Sequence, residues 1–133
     1  MKRFFCIALF LLHLPLRTQN LDSLKQLLRS AKQDTTQLNL YEMICEVCEE
    51  KDIMSYAEPG IALADKLLSG QALSKKEKYT ILAVKASLYN NMGIATSGTG
   101  HANEAIKYYL EGLKIEEELH DKREIVYYNQ TSV

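Results

Sequence analysis

The chain has 133 residues, of which 47% are hydrophobic and 25% are charged, and its formal net charge is −1. A chain of this length forms one small domain at most, and this composition is ordinary for a globular protein. The near-neutral charge and the lack of a basic stripe argue against a nucleic-acid-binding class, because phosphate backbones are bound by clustered lysine and arginine side chains.

The first 19 residues have the order of charge and hydrophobicity that is typical of a secretory signal. Lys2 and Arg3 precede an apolar run over residues 4–16, which only His13 and Pro15 interrupt. This run is shorter than the roughly 20 residues that a membrane-spanning helix needs. We therefore predict a signal peptide over residues 1–19 and an exported protein of the periplasm or cell envelope. A buried N-terminal helix is the alternative.

Export would change the charge of the chain and limit its contact with a membrane. Removal of residues 1–19 leaves 13 basic and 17 acidic side chains, a formal charge of −4. A surface of that sign repels phosphate backbones, so we expect no nucleic-acid partner. Contact with a membrane is expected only through a signal segment that stays uncleaved.

The first predicted helix follows this segment. Asp22 is a suitable N-cap residue, and Leu24, Leu27 and Leu28 after it share one helical face. We predict a helix from Asp22 to about residue 32, where the polar run over residues 34–36 separates it from the next.

The second predicted helix carries Cys45 and Cys48 in the sequence CEVC. A CxxC pair is typical of a redox motif or of half a zinc site, and an exported protein can hold disulfides. Here the apolar residues recur at helical spacing and share a face with the second cysteine: Leu40, Met43, Ile44, Val47 and Cys48. No second CxxC and no βαβ pattern accompanies the pair. We therefore interpret both cysteines as packing residues of a helix that ends near Glu50.

A third helix is predicted from Asp52 to Gly70. Its apolar face consists of Ile53, Tyr56, Ala57, Gly60, Ile61, Ala64 and Leu67. Pro59 lies within this pattern and has no backbone N–H to donate, so we expect a kink there or a helix that begins later. Gly70 ends the helix, because glycine readily adopts the left-handed cap conformation.

The fourth helix has the clearest start in the sequence. Ser74 and Glu77 have the spacing of a capping box, in which each side chain binds the backbone N–H of the other residue. The predicted buried stripe is Ile81, Val84, Leu88, Met92 and Ala95. We expect this helix to end at the loop over residues 97–100.

The fifth helix is predicted from about Ala102 to Leu119. Its expected buried residues are Ala105, Ile106, Tyr109, Leu113 and Leu119. Gly112 in its interior costs about 0.5 to 1 kcal/mol relative to alanine, which indicates a close approach of two helices. Asp121 opens a sequence like a second capping box, so a further short helix is predicted from there.

Residues 86–119 resemble a tetratricopeptide repeat. That family places aromatic and small residues at fixed positions of two successive helices, and Tyr89, Gly93, Ala105, Tyr109 and Gly112 occupy those positions. The segments NNMG and EAIKYYLEGLKIEEEL look like a bacterial subgroup of exported repeats. Members of that subgroup form input regions of sensor histidine kinases, nucleotide cyclases or transcription regulators. Thr96 departs from the pattern, since the family has an aromatic residue there, and Glu117 replaces a proline.

This resemblance implies an all-α fold in which antiparallel helix pairs stack as a short solenoid over residues 20–133, truncated at its C-terminus. The implied function is a non-enzymatic scaffold that binds a protein or a peptide. The alternative is a sensory input region whose kinase, cyclase or DNA-binding output domain is missing from this chain. An enzyme with an unrecognised site is the third class.

The resemblance also names a binding groove. In this family the first helix of each pair forms the concave surface, and asparagines there bind the ligand backbone. By resemblance the groove residues are Ser87, Asn90, Asn91, Ile94 and Ser97. The alternative is that Asn90 only faces solvent and that Asn91 forms a hydrogen bond between helices.

No catalytic, cofactor or metal site is predicted. The glycine-rich sequence SGTGH lacks the Gly-Lys-Ser/Thr of a phosphate-binding loop and follows no strand, so a repeat turn explains it. His101 and His120 have no second histidine at metal-ligand spacing. No small-molecule substrate is indicated.

Overall fold

The computed structural model describes residues 15–70 and 72–131, with side chains over residues 20–70 and 72–120. The described residues are all-helical, as predicted. The five helices are α1 (Pro15–Ser30), α2 (Asp34–Val47), α3 (Glu50–Gly70), α4 (Lys75–Gly98) and α5 (Ala102–Thr131). Most of the predicted signal segment, residues 1–14, lies outside the described part of the chain.

The helices pack mainly on their neighbours in the sequence. Each one contacts the next, and α2 also contacts α4. Among the described helices, α1 therefore packs mainly on α2, with Lys25 also over the Tyr56 ring of α3, and α5 packs only on α4. The main core lies between α2, α3 and α4, and its fully buried members include Leu38, Ala57, Ala64 and Leu88.

The start and the buried stripe of α4 are confirmed. The Ser74 hydroxyl accepts a hydrogen bond from the Glu77 backbone N–H at 3.2 Å, and the Glu77 carboxylate accepts one from the Ser74 backbone N–H at 2.8 Å. All five predicted stripe residues of α4 are buried. This helix contacts α2, α3 and α5.

Two predicted boundaries are wrong. Asp22 lies inside α1 and is not its N-cap. Helix α2 ends at Val47, where Cys48 takes an extended conformation. Helix α3 begins at Glu50 and continues through Pro59, so of the two alternatives for this proline the later start is not observed. The apolar face predicted for α3 is confirmed, since each of its members is buried or partly buried.

The predicted break at Asp121 is also wrong, because α5 is one helix from Ala102 to Thr131. Its buried side chains include Ala105, Ile115 and Leu119. Ile106, Tyr109 and Leu113, predicted to be buried, are exposed instead. The outcome shows that α5 turns its small residues towards α4, while several of its large apolar residues face away.

The close approach predicted at Gly112 is confirmed. A Cβ atom there would lie 2.9 Å from the Asn90 Oδ1 atom and 3.2 Å from the Ala86 carbonyl oxygen. Within the described residues, no helix is long and apolar enough to cross a membrane.

Candidate functional site

The five residues predicted to line a groove lie on one face of α4. Ile94 and Ser97 are exposed at its C-terminal end, and the other three are half-buried. Half-burial arises because α2 and α5 both pack on α4 beside this face. The face is thus accessible from solvent and bordered by two neighbouring helices.

Ser87 connects this face to α2. The Glu42 carboxylate accepts a hydrogen bond from the Ser87 hydroxyl. Burial raises the pKa of Glu42, the bond from Ser87 opposes this effect, and the negative charge of Glu46 adds to the rise. A positive group bound beside Glu42 would favour its ionised form.

Asn90 connects the face to α5. Its side-chain Nδ2 atom donates a hydrogen bond to the Glu116 carboxylate at 3.1 Å, close to the contact with Gly112. Asn91 instead donates to the Ser87 carbonyl oxygen of its own helix, also at 3.1 Å. The hydrogen bond between helices, suggested as an alternative role for Asn91, is therefore made by Asn90.

A cleft of about 670 Å³ opens between α4 and α5 beside these residues. Its lining includes Ser87 and Asn90 from α4, with Leu113, Glu116 and Glu117 from α5. No lysine or arginine is among the described residues that line it. The carboxylates of Glu42, Glu116 and Glu117 therefore give this part of the surface a negative potential.

Two residues of the family pattern lie together at the other end of the helix pair. The Tyr109 ring packs against Gly93, where an added Cβ atom would lie only 2.5 Å from the ring. Thr96 is buried, and its hydroxyl donates a hydrogen bond to the Met92 carbonyl oxygen at 2.7 Å. The aromatic residue that the family has at this position is thus replaced by a side chain bonded to its own helix.

The glycine-rich segment forms the turn between α4 and α5. Gly100 has a φ of 84°, a left-handed conformation that glycine adopts without strain. His101 Nδ1 lies 3.1 Å from the Thr99 hydroxyl. Residues 100–104, with Lys107 and Tyr108, line a second open cleft of about 590 Å³. The segment is therefore a turn between two helices.

The two cysteines are free thiols with different surroundings. Cys45 is only 3% exposed, and its Sγ atom lies 3.8 Å from the Ile53 carbonyl oxygen. Burial raises the pKa of the Cys45 thiol to about 12, with smaller contributions from Cys48 and nearby glutamates. A thiol of this kind rarely ionises near neutral pH, so it is a poor nucleophile. The apolar spacing predicted Cys48 on the buried face, but Cys45 is the more buried of the two.

The exposed apolar face of α5 was not predicted. Four large apolar side chains at helical spacing are exposed on this helix: Ile106, Tyr109, Leu110 and Leu113. Their spacing is visible in the sequence, but periodicity alone attributes such residues to a core.

Comparison with family models, with curated proteins and with solved structures finds no match for this chain. The resemblance to tetratricopeptide repeats therefore rests on the residues quoted above. The part of the chain that the structure describes contains no group of three or more metal-ligating side chains placed to hold an ion.

Proposed function

We propose that the protein is a non-enzymatic, solenoid-like scaffold that binds a peptide or an extended protein segment along α4. The order of helix contacts carries this proposal. Helix α2 packs on α4 as well as on α3. Stacking of two helix pairs brings their first helices together in this way, and the paired first helices then form one continuous surface.

The register of the contacts supports antiparallel pairing. Helices α2 and α3 meet at Cys45 with Ile53 and at Asp34 with Lys66. Helices α3 and α4 meet at Gly60 with Leu88 and at Asp65 with Lys85. Helices α4 and α5 meet at Gly93 with Tyr109 and at Asn90 with Glu116. In each pair of helices, residue numbers rise along one helix as they fall along the other. The helices α2 to α5 thus behave as two helical hairpins.

The polar groups along α4 favour a ligand with positive charge. Glu42 and Glu116 stand on opposite sides of the face, bonded to Ser87 and Asn90. Ile94 adds an exposed apolar contact. A peptide with a lysine or arginine beside an apolar residue complements both features, whereas an acidic ligand would be repelled. The same charges make nucleic acid an unsuitable partner.

Selection from a random peptide library on the immobilised full-length chain tests this function. We expect cationic peptides whose affinity, measured by fluorescence anisotropy, falls at least about tenfold in the Asn91→Ala and Ile94→Ser variants. Asn103→Ala is the matched control, because Asn103 is an exposed asparagine of α5 that does not belong to the predicted groove. Failure to select any peptide, or equal losses in all three variants, would contradict the proposal.

We further propose that the protein is exported, on the basis of Lys2, Arg3 and the apolar run that follows. Residues 1–40 fused to a reporter that is active only outside the cytoplasm should give a signal. Replacement of Leu11 and Leu12 by arginine should abolish it. A silent reporter, with a cytoplasmic reporter active on the same fusion, would refute export.

A further inference from the structure

The outward side of α5 is an unpartnered apolar helix face. Ile106, Leu110 and Leu113 are 53%, 57% and 47% exposed. They are spaced by three or four residues, so they form one stripe. Helix α5 packs only on α4 among the described helices, and its contacts there use Ala105, Gly112 and other residues of the opposite side. Contiguous exposed apolar surface of this kind marks a site of association.

The charges beside the stripe differ between its two ends. Lys107 precedes Leu110 by three residues, and Glu117 follows Leu113 by four, so both lie near the stripe. Both side chains are exposed, and within the described residues neither forms an ion pair. The face therefore has Lys107 near one end and Glu117 near the other, with leucines between them, and the exposed Lys114 lies beside the same stripe, four residues after Leu110.

We propose that two copies of this chain associate through this face, with their α5 helices antiparallel. When Leu110 of one copy lies opposite Leu113 of the other, Lys107 comes within one residue of the second copy's Glu117. One residue is about 1.5 Å along the helix axis. Twofold symmetry repeats each contact, which gives two leucine contacts and two ion pairs.

The same charges select the direction of pairing. Parallel helices related by a twofold axis would place Lys107 against its own copy and Glu117 against its own copy, and both contacts are repulsive. A different partner helix would need its own acidic and basic groups at these two levels, whereas a second copy supplies both. This inference does not require peptide binding along α4, although Leu113 and Glu117 also line the cleft between α4 and α5.

Sedimentation of the full-length chain over a hundredfold range of concentration tests the proposal. We expect a monomer–dimer equilibrium in the wild-type protein. Lys107→Glu and Glu117→Lys should each raise the dissociation constant at least about tenfold, because both exchange attraction for repulsion. A mixture of the two single variants should form heterodimers with wild-type affinity, because every pair is then complementary. The variant with both substitutions should dimerise by itself for the same reason.

Leu110→Gln and Leu27→Gln form the matched control. Leu27 on α1 is 54% exposed, so Leu27→Gln removes a leucine of comparable exposure that does not lie on α5. Only Leu110→Gln should weaken the dimer, and circular dichroism should show equal helicity in both variants. A monomeric wild-type chain, a dimer that none of the α5 substitutions weakens, or two single variants that fail to associate when mixed would overturn the proposal. A monomer that instead binds a helix of another protein would overturn it as well.

Discussion

Helices α3 and α5 both pack on α4, but they differ in the number of their neighbours. Helix α3 contacts α2 as well as α4, whereas α5 contacts α4 alone among the described helices. All the large apolar side chains of α3 are buried or half-buried. Four on α5 are exposed. Similar apolar content thus gives a core helix in one case and a helix with an open face in the other.

Helices α3 and α5 each have a glycine at their contact with α4. Gly60 of α3 lies against the Leu88 side chain, and Gly112 of α5 lies against Asn90 and the Ala86 backbone. Gly60 also touches Tyr41 of α2, so it is enclosed by two helices. The second neighbour, rather than the approach to α4, therefore distinguishes α3 from α5. The same type of substitution should therefore lower the free energy of unfolding more on α3 than on α5.

The largest expected difference is between Leu67 and Leu110. Leu67 of α3 is 2% exposed, so Leu67→Ala should lower the free energy of unfolding by about 2 to 5 kcal/mol through lost burial and a residual cavity. Leu110→Ala on the open face of α5 should change it by less than about 0.5 kcal/mol. Urea unfolding at a concentration where the chain is monomeric measures both. Equal losses would show that α5 is covered in solution even in the single chain.

A smaller difference is expected between the two glycines. A Cβ atom at Gly60 would lie 2.7 Å from Leu88 Cδ1 and 3.1 Å from Tyr41 Cβ, and Leu88 is fully buried. Gly60→Ala should therefore destabilise the chain by about 1 to 3 kcal/mol. Gly112→Ala mainly displaces the end of the Asn90 side chain, and the helix-propensity gain of alanine offsets part of that cost. In thermal melting, Gly60→Ala should have a lower melting temperature than Gly112→Ala.

The sequence predicted α4 well because two independent signals agree there. Its capping box is local and its stripe is wide, since three helices pack around it. The start predicted at Asp22 and the break predicted at Asp121 relied on cap-like residues alone. A cap contributes only about 1 kcal/mol, and such residues also occur inside helices, so they do not define a boundary by themselves.

The errors on α5 have a different cause. Periodicity selects the large apolar residues, and Ile106 and Leu113 have suitable spacing. Close packing on α4, however, needs small residues at the contact, and Ala105 and Gly112 meet that need. Which of two amphipathic faces is covered depends on the neighbouring helices, which the residues of α5 do not encode. The candidate groove was named from the family resemblance, but its links to Glu42 and Glu116 needed the structure.

The packing of α2 on α3 can be tested by substitution of the two cysteines. Cys45→Ala with Cys48→Ala should lower the free energy of unfolding by about 1 to 3 kcal/mol, because Cys45 is buried against α3. Peptide binding should not change. Dependence of folding on a metal ion, or loss of a redox activity in the double variant, would contradict the packing role.

The loss should also depend on pH. Burial raises the pKa of Cys45 from 9.0 to about 12, so the unfolded chain releases this proton at lower pH than the folded chain. Stability from the buried thiol is then complete below pH 9 and declines as the pH rises towards 12. The difference in unfolding free energy between wild type and double variant should shrink over this range, measured in reducing buffer. A constant difference would indicate that the thiol is accessible to solvent.

The smallest expected effects are at the polar contacts that join each helix to α4. Lys85 of α4 pairs with Asp65 of α3 at 2.5 Å, whereas Asn90 of α4 binds Glu116 of α5 through a neutral amide. Asp65→Asn should lower the free energy of unfolding by up to about 1 kcal/mol, since the pair is partly exposed to solvent.

Glu116→Gln should cost about 0.5 to 1.5 kcal/mol at most, because the glutamine carbonyl can still accept the hydrogen bond from Asn90. The salt dependence of the two losses distinguishes the two contacts better than the magnitudes of the losses do. Screening weakens a bond between two charges more than a bond between a charge and an amide. Between low and high sodium chloride, the loss caused by Asp65→Asn should therefore shrink, while the loss caused by Glu116→Gln changes little. If both losses respond equally to salt, the Glu116 contact behaves as a contact between two charges, and its description as a bond to a neutral amide would be wrong.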